Sequence, residues 1–355
     1  MSLLPHLVLA ATASDTPMGA ERYQEEVSLR APEALPHWRV TEIVARSLRS
    51  PLPGNRRLPM RWLRGATARQ RRVFGRALYG SGRPVTHRMD LLLPPGPGPN
   101  LATIHDTVAW RFPDEAPPAL AAAEEARRAD AVICVSEFSA QEVRDLLGVR
   151  SPTVIYNGVD ARFFDPTPLT AHQRQALGLE QPYVLHFGGA SERKNLGALA
   201  EAWPTVRRAR PSLQLALSGP PHPRRTELFA GLPGVRLLGS QPSEIMPSLI
   251  GSAEAVIVPS TYEGFGLPAL EAMAAGTVVA AAATSALPEV VGDAGLLIRP
   301  TPDGVASGLL DLTTDSPEIS RLRDRGRARA AEFTWERCVR AHADVWQSLA
   351  DGGAG

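Results

Sequence analysis

The chain has 355 residues, 44% of them hydrophobic and 21% charged, with a formal net charge of +1. That composition supplies apolar material for large cores, and the length suggests two domains. It excludes a global polyanion-binding field, so no nucleic-acid partner is expected. Two cysteines cannot build a disulfide framework, which fits a cytoplasmic location, and Cys134 in "AVICV" reads as buried packing.

The N-terminal "MSLLPHLVLAATAS" imitates a short signal peptide, but no Lys or Arg precedes its apolar run, and Pro5 and His6 interrupt it. It reads as a buried first strand over 6–13. No run of about 18 apolar residues exists, so no membrane span is expected. Residues 46–62 and 92–99 are Pro-rich and irregular and are expected to be surface loops. Between them 55–76, "NRRLPMRWLRGATARQRRVFGR", interleaves arginines with Leu, Met, Trp and Phe and holds no acid. It is open to two readings. One is a solvated helix face with arginine stems on apolar surface. The other is peripheral contact with an anionic membrane, at the inner face, or with a phosphorylated acceptor.

Strands are expected at 101–106, 131–136 and 153–159, then at 183–189, 213–219, 235–239, 255–260 and 277–282. Most are continuous apolar runs, the mark of strands buried on both faces of a parallel sheet. Helical segments fall between and after them, at 117–130, 137–147, 195–210, 268–275, 303–313, 317–332 and 335–349. Strand–helix alternation twice over implies two doubly wound α/β domains. Gly, Asp and Pro cluster in "NGVDARFFDPTP" (157–168), which marks the linker.

The most informative stretch is "STYEGFGLPALEAMAAG", Ser260–Gly276. A strand leads into a loop with two glycines, then Pro268 at the first turn of a helix, where its missing N–H costs nothing. The N–H groups of Phe265, Gly266 and Leu267 then point outward with a positive helix end behind them, a cradle for phosphate. Glu263 lies before the loop and Glu271 about one turn into the helix. Neither acid suits the phosphate itself, but each can accept hydrogen bonds from hydroxyls on either side of it. Hydroxyls, then phosphates, then hydroxyls describe a nucleotide sugar. The alternative is that both acids are solvated surface charges.

These residues resemble the signature of glycosyltransferase family 4, the retaining enzymes of the GT-B fold. "SALPEVVGDAGLLIRP" (285–300) and "FGGASERKN" (187–195) resemble further segments of that family. "TIHDTVAWRFPDE" (103–115), "ADAVICVSEFSAQEV" (129–143) and "VIYNGVD" (154–160) are similar to its mannosyltransferase-like branch. "FTWERCVRAHADVW" (333–346) resembles its closing helix. The resemblance covers about 101–350 well and the first 100 residues loosely. It implies two Rossmann-like domains facing each other across a cleft. The N-terminal, acceptor-binding domain is expected over 1–160 with a crossing helix at about 335–350. The donor-binding domain is expected over 161–334, with closure hinged near 157–165.

By the same resemblance, Glu263 contacts donor-sugar hydroxyls, and Phe265, Gly266 and Leu267 give backbone donors to the diphosphate. Glu271 holds the ribose. Lys194 neutralises the diphosphate leaving group, with Arg193 beside it as a fork-shaped donor. His105 faces the donor sugar, Asp106 orients it or touches the acceptor, and Gly19 lies in the loop that approaches the diphosphate. Two positions depart from the family pattern. Gly189 stands where many members carry arginine, and Met18 stands where a first loop glycine is usual.

No metal is expected: the other histidines lack ligand spacing, and no Asp-x-Asp occurs. The expected activity is a retaining, metal-independent hexosyl transfer from a nucleoside-diphosphate sugar to a glycan, glycolipid or small-molecule acceptor. GDP-mannose is the favoured donor, with UDP- or dTDP-sugars open. A sugar-nucleotide epimerase and a non-catalytic binding protein are the rivals.

Overall fold

A computed structural model describes residues 4–14, 19–80, 82–112, 115 and 117–352. The chain divides into two compact units, Met1–Gly158 with Trp335–Gly355, and Val159–Thr334.

The first unit is built on seven parallel strands. They are β1 (His6–Thr12), β2 (Arg39–Ser47), β3 (Arg56–Leu58), β4 (Val85–Arg88), β5 (Asn100–Ile104), β6 (Ala131–Cys134) and β7 (Thr153–Val154). Their order is β3-β2-β1-β4-β5-β6-β7. β1 is central and apolar from Leu7 to Ala11, where every residue is buried, so both faces are covered. Leu7 and Leu9 pack with Tyr23, Val27, Trp335 and Trp346 on one face. Val8 and Ala10 pack with Ile43, Leu63 and Tyr79 on the other.

The second unit has six parallel strands. They are β8 (Tyr183–Phe187), β9 (Gln214–Ser218), β10 (Val235–Gly239), β11 (Ala255–Val258), β12 (Val278–Ala282) and β13 (Leu296–Ile298). The order is β10-β9-β8-β11-β12-β13. Trp203 and Val206 of the helix Leu196–Ala209 anchor one face against Leu215, Leu217 and Ile257. In each sheet the order reverses once, between β1 and β4 and between β8 and β11. In such sheets ligands bind outside the carboxyl ends of the strands that flank the reversal.

Several expectations need correction. Residues 46–62 are not simply loop: they hold β3 and the start of the helix Met60–Gly65. Residues 92–99 are irregular but not superficial, since Leu93 is fully buried. The carbonyls of Leu91, Leu92 and Leu93 are turned inward to accept from Arg71. The helix expected at 117–130 is regular only over Ala122–Arg127. The run 153–159 is divided: β7 is two residues long, and Val159 instead pairs with Thr334 in the second unit. Strands β2 and β4 were not foreseen because "RVTEIVARS" and "VTHR" carry polar residues at buried or half-buried places.

The long C-terminal helix, Trp335–Gly352, belongs to the first unit and is tied to its sheet by one hydrogen-bond chain. Trp346 Nε1 can only donate, so His87 Nδ1 (3.3 Å) accepts and His87 Nε2–H donates to Thr103 Oγ1 at 2.7 Å. At the other end His342 Nδ1–H donates to the Cys338 carbonyl at 2.8 Å, leaving Nε2 to accept from the Tyr23 hydroxyl at 2.6 Å. The Thr103 hydroxyl must then donate to Tyr23 Oη, at 2.7 Å. With both imidazoles neutral, every donor has one acceptor. Burial pushes His87 well below the usual histidine range and His342 down to about 4.

Candidate active site

The site in the second unit is made by two strand-to-helix turns at the β8/β11 reversal. After β8 the chain passes Gly188 (φ 132°) and Gly189 and makes a short 3-10 turn, Glu192–Lys194. Asn195 ends that turn at φ 53°, in the left-handed region. Its side chain holds it there, donating to the carbonyls of Pro259 (3.1 Å) and Pro300 (3.0 Å). Thr261 N–H donates to the Arg193 carbonyl at 2.8 Å. These bonds fasten the turn after β8 to the chain leaving β11.

That fastening brings three of the sequence-identified residues together. Lys194 Nζ lies 2.7 Å from Glu263 Oε1, and Arg193 Nη1 lies 3.6 Å from Glu263 Oε2. Lys194 and Glu263 are 6% and 7% exposed, so the pair is screened from water. Burial pushes the Glu263 carboxyl up, but Lys194 and then Arg193 more than offset this and hold it below the usual carboxylate range. Glu263 is therefore an ionised acceptor, and the three side chains carry a net charge of +1. The expectation gave Lys194 to a diphosphate and Glu263 to a sugar; the structure has the two joined directly.

Gly266 caps the next helix, Leu267–Ala274, at φ 106°. The first N–H groups of that helix have no partner within it. The Phe265 side chain turns inward, its ring 6.0 Å from that of Phe333. Glu271 lies half-buried within the helix and is not part of the Glu263 ion pairs. An added Cβ at Gly266 would meet Leu287 Cδ2 at 2.7 Å on top of the backbone strain. Gly266→Ala is therefore expected to cost about 1–3 kcal/mol and to shift the helix start. Chemical denaturation of the variant checks this.

Two residues were missed. Arg225 is 4% exposed and donates to the carbonyls of Pro220, Gly188 and Gly189, at 2.6, 2.5 and 3.1 Å. It clamps the glycine turn that lacks the family's arginine at position 189. Its signal in the sequence is weak, because it sits in a loop-like "PPHPRR". His186, on β8, donates from Nδ1 to the Ile257 carbonyl at 3.1 Å and presents a buried Nε2 with no partner among the described residues. Burial pushes it down to about 4, with Lys194 and Arg225 adding to the effect. Spacing alone had assessed this histidine only as a metal ligand.

The remaining sequence-identified residues lie in the first unit. His105 follows β5, with its ring edge-on to Tyr23 at 4.7 Å and a buried Nε2 that has no partner among the described residues. Burial pushes it down to about 4, only partly opposed by Glu21 and Asp90. A neutral imidazole at physiological pH orients hydroxyls but is a poor proton donor. Asp106 Oδ1 accepts from Val108 N–H at 3.0 Å and shapes the turn after β5. Gly19 begins the helix Gly19–Ala34, while Met18 lies outside the described residues. A cavity of about 620 Å³ opens near the carboxyl ends of β1 and β2, lined by Thr12, Ser14, Glu21, Gln24, Glu42 and Asn55 among others.

Within 55–76, Arg56 and Arg57 are exposed on edge strand β3, whereas Arg71 is fully buried. Among the described residues no helix is long and apolar enough to cross a membrane, and no group of His, Cys, Asp and Glu is placed to hold a metal ion.

Comparison with known proteins agrees with this geometry. Residues 22–163 match the model described as Glycosyltransferase Family 4, and 181–315 match that of Glycosyl transferases group 1. The chain is 31% identical over 231 residues to the O-antigen chain mannosyltransferase B of Escherichia coli, covering 61% of this chain and 60% of that one. It is 31% identical over 220 residues to a GDP-mannose-dependent alpha-(1-6)-phosphatidylinositol dimannoside mannosyltransferase of Mycobacterium tuberculosis, covering 59% and 55%. The matches thus span about 55–60% of these relatives' lengths. Among solved structures, a sucrose-phosphate synthase from Thermosynechococcus elongatus superposes with a TM-score of 0.78 at 23% identity, covering 98% of this chain and 100% of that one. With both models matched in order, one on each parallel-sheet unit, the chain belongs to glycosyltransferase family 4 and has the GT-B fold.

Proposed function

We propose that the protein is a retaining hexosyltransferase that uses a nucleoside-diphosphate sugar, with GDP-mannose the favoured donor. The observation that carries this is the Arg193–Lys194–Glu263 cluster at the β8/β11 reversal, beside the start of the helix Leu267–Ala274. GDP-mannose is favoured because both curated relatives described above are mannosyltransferases by name, one of them GDP-mannose-dependent.

The difficult step in glycosyl transfer is departure of the diphosphate from an oxocarbenium-like centre. In this proposal the growing negative charge meets Lys194, Arg193 and the positive helix end, donated through the backbone of Phe265, Gly266 and Leu267. Glu263, ionised and fixed by its partners, accepts from a sugar hydroxyl, and Glu271 from the ribose. His105 contributes a neutral hydrogen-bonding group to the sugar, and Asp106 and Gly19 shape the first unit's turns. The first unit takes the acceptor, a glycan, glycolipid or small molecule. Because protein cations meet the diphosphate charge, transfer is expected to be unaffected by EDTA.

A thermal-shift screen with GDP, UDP, dTDP and ADP tests the donor class, since a ligand bound only by the folded state raises Tm. GDP is expected to give the largest shift. NMR of GDP-mannose turnover then separates transfer from epimerisation: release of GDP with an α-linked product supports the proposal. A new nucleotide sugar formed without an acceptor contradicts it.

A further inference from the structure

The first unit holds a second buried charge cluster, around Arg88, the last residue of β4. Arg71 and Arg88 are fully buried and Glu125 is 4% exposed. Arg71 is saturated. Its Nε and Nη2 pair with Glu125 Oε1 and Oε2 at 2.7 and 3.0 Å, and its remaining hydrogens reach the carbonyls of Leu63, Leu91, Leu92 and Leu93. Arg88 is not. Its Nη1 donates to Glu125 Oε2 (2.8 Å) and the Leu93 carbonyl (3.0 Å), but buried Nε and Nη2 have no partner among the described residues.

Two guanidiniums share one carboxylate, so a positive charge is buried without compensation, an arrangement that is costly unless something pairs with it. The unsatisfied atoms are the side-on fork of Arg88, the edge that takes two oxygens of an oxyanion at once. Arg88 lines a cavity of about 220 Å³, with Glu125, Gly96 and Asn100, and with Arg72 and Arg128, which are exposed and so form its rim. Both Glu125 oxygens are already occupied by Arg71 and Arg88. Arg128 is also paired with Glu124, at 3.1 Å on the surface, where such a pair exchanges readily. The space is smaller than the roughly 300–1,000 Å³ of pockets for larger ligands.

We propose that this cavity is a phosphate site, in which a phosphate group is held between Arg72 and Arg128 at the rim and, once the lining shifts to uncover them, accepts from Nε and Nη2 of Arg88, which are closed to water in this structure. Three guanidiniums against one carboxylate favour a dianion over a monoanionic carboxylate. Part of the arginine-rich 55–76 run thereby becomes the wall of a site rather than only a solvated face. The inference does not depend on the donor site in the other unit.

The test uses the full chain carrying Lys194→Ala, so that phosphate at the nucleotide site does not contribute. Tm is followed against inorganic phosphate and against glycerol 3-phosphate, each at ionic strength matched with chloride. A saturable rise is expected, with tighter half-saturation for whichever source, free phosphate or a phosphomonoester, the cavity takes. Adding Arg88→Met should abolish the rise, and adding Arg72→Ala with Arg128→Ala should raise the half-saturating concentration at least fivefold. No saturable rise over chloride, or the same rise in a folded Arg88→Met protein, overturns the proposal. If Arg88→Met fails to fold, the rim variant decides, and unchanged half-saturation there overturns it.

Discussion

Replacing Glu263 by glutamine is expected to lower GDP release from GDP-mannose by about 10²–10³-fold, the loss typical of removing one pre-organised polar group from a charged site. Glutamine keeps the shape and an acceptor oxygen but removes the charge that Lys194 faces at 2.7 Å. Stability should also suffer, because Lys194 is then buried without its counter-ion. Breaking a buried pair from one side costs about 3–5 kcal/mol, with glutamine at the low end. The two effects can be separated. In Glu263→Gln combined with Lys194→Met no buried charge is stranded, so stability should recover while transfer does not. Urea unfolding and product release, measured on the same preparations, check both. Wild-type turnover in the single variant would remove Glu263 from the site.

Acidification should destabilise the protein strongly. Burial pushes His105, His186 and His342 down to about 4 from an ordinary value of 6.5, and His87 falls in the same direction. In the unfolded chain these imidazoles take up protons below about 6.5. Between 6.5 and about 4 the unfolded state therefore binds more protons, so stability is full above this window and is lost as pH falls through it. Each of His105, His186 and His342 contributes up to about 3 kcal/mol, a large share of an ordinary folding free energy. The Tyr23–His342 bond explains the cost at one of them. A proton on His342 Nε2 would face the Tyr23 hydroxyl hydrogen, and the chain from Trp346 to Cys338 would have two donors opposed. Urea midpoints at pH 7, 6 and 5 should fall steadily, and His342→Gln should reduce the slope by about one proton. A flat profile would show that the imidazoles are not held neutral.

The fold and the turns that carry Arg193, Lys194 and Glu263 were legible for one reason. Continuous apolar runs such as "AVIV" and "TVVAAA" become double-faced parallel strands, and "EGFGLP" can only be a turn into a helix. Polar interiors were not legible. β4, "VTHR", is buried at every position, but it is buried by pairing Arg88 with Glu125 and His87 with Thr103 and Trp346, partners 16 to 259 positions away. No local pattern announces such partners. The same limit hid Arg225, whose clamp on Gly188 and Gly189 is visible only in three dimensions. It also hid the direct pairing of Lys194 with Glu263, 69 positions apart, which motif matching had assigned to different parts of one ligand.

The diphosphate assignment is tested most directly by calorimetric titration of GDP, with UDP, dTDP and ADP alongside, into the wild type and Lys194→Ala. One of these nucleotides, GDP first, should bind with one site per chain. Its affinity should fall about tenfold to a hundredfold in the variant, the worth of one charge-assisted hydrogen bond. Equal affinity in the two proteins, with the variant folded, would contradict the placement of the diphosphate beside Lys194.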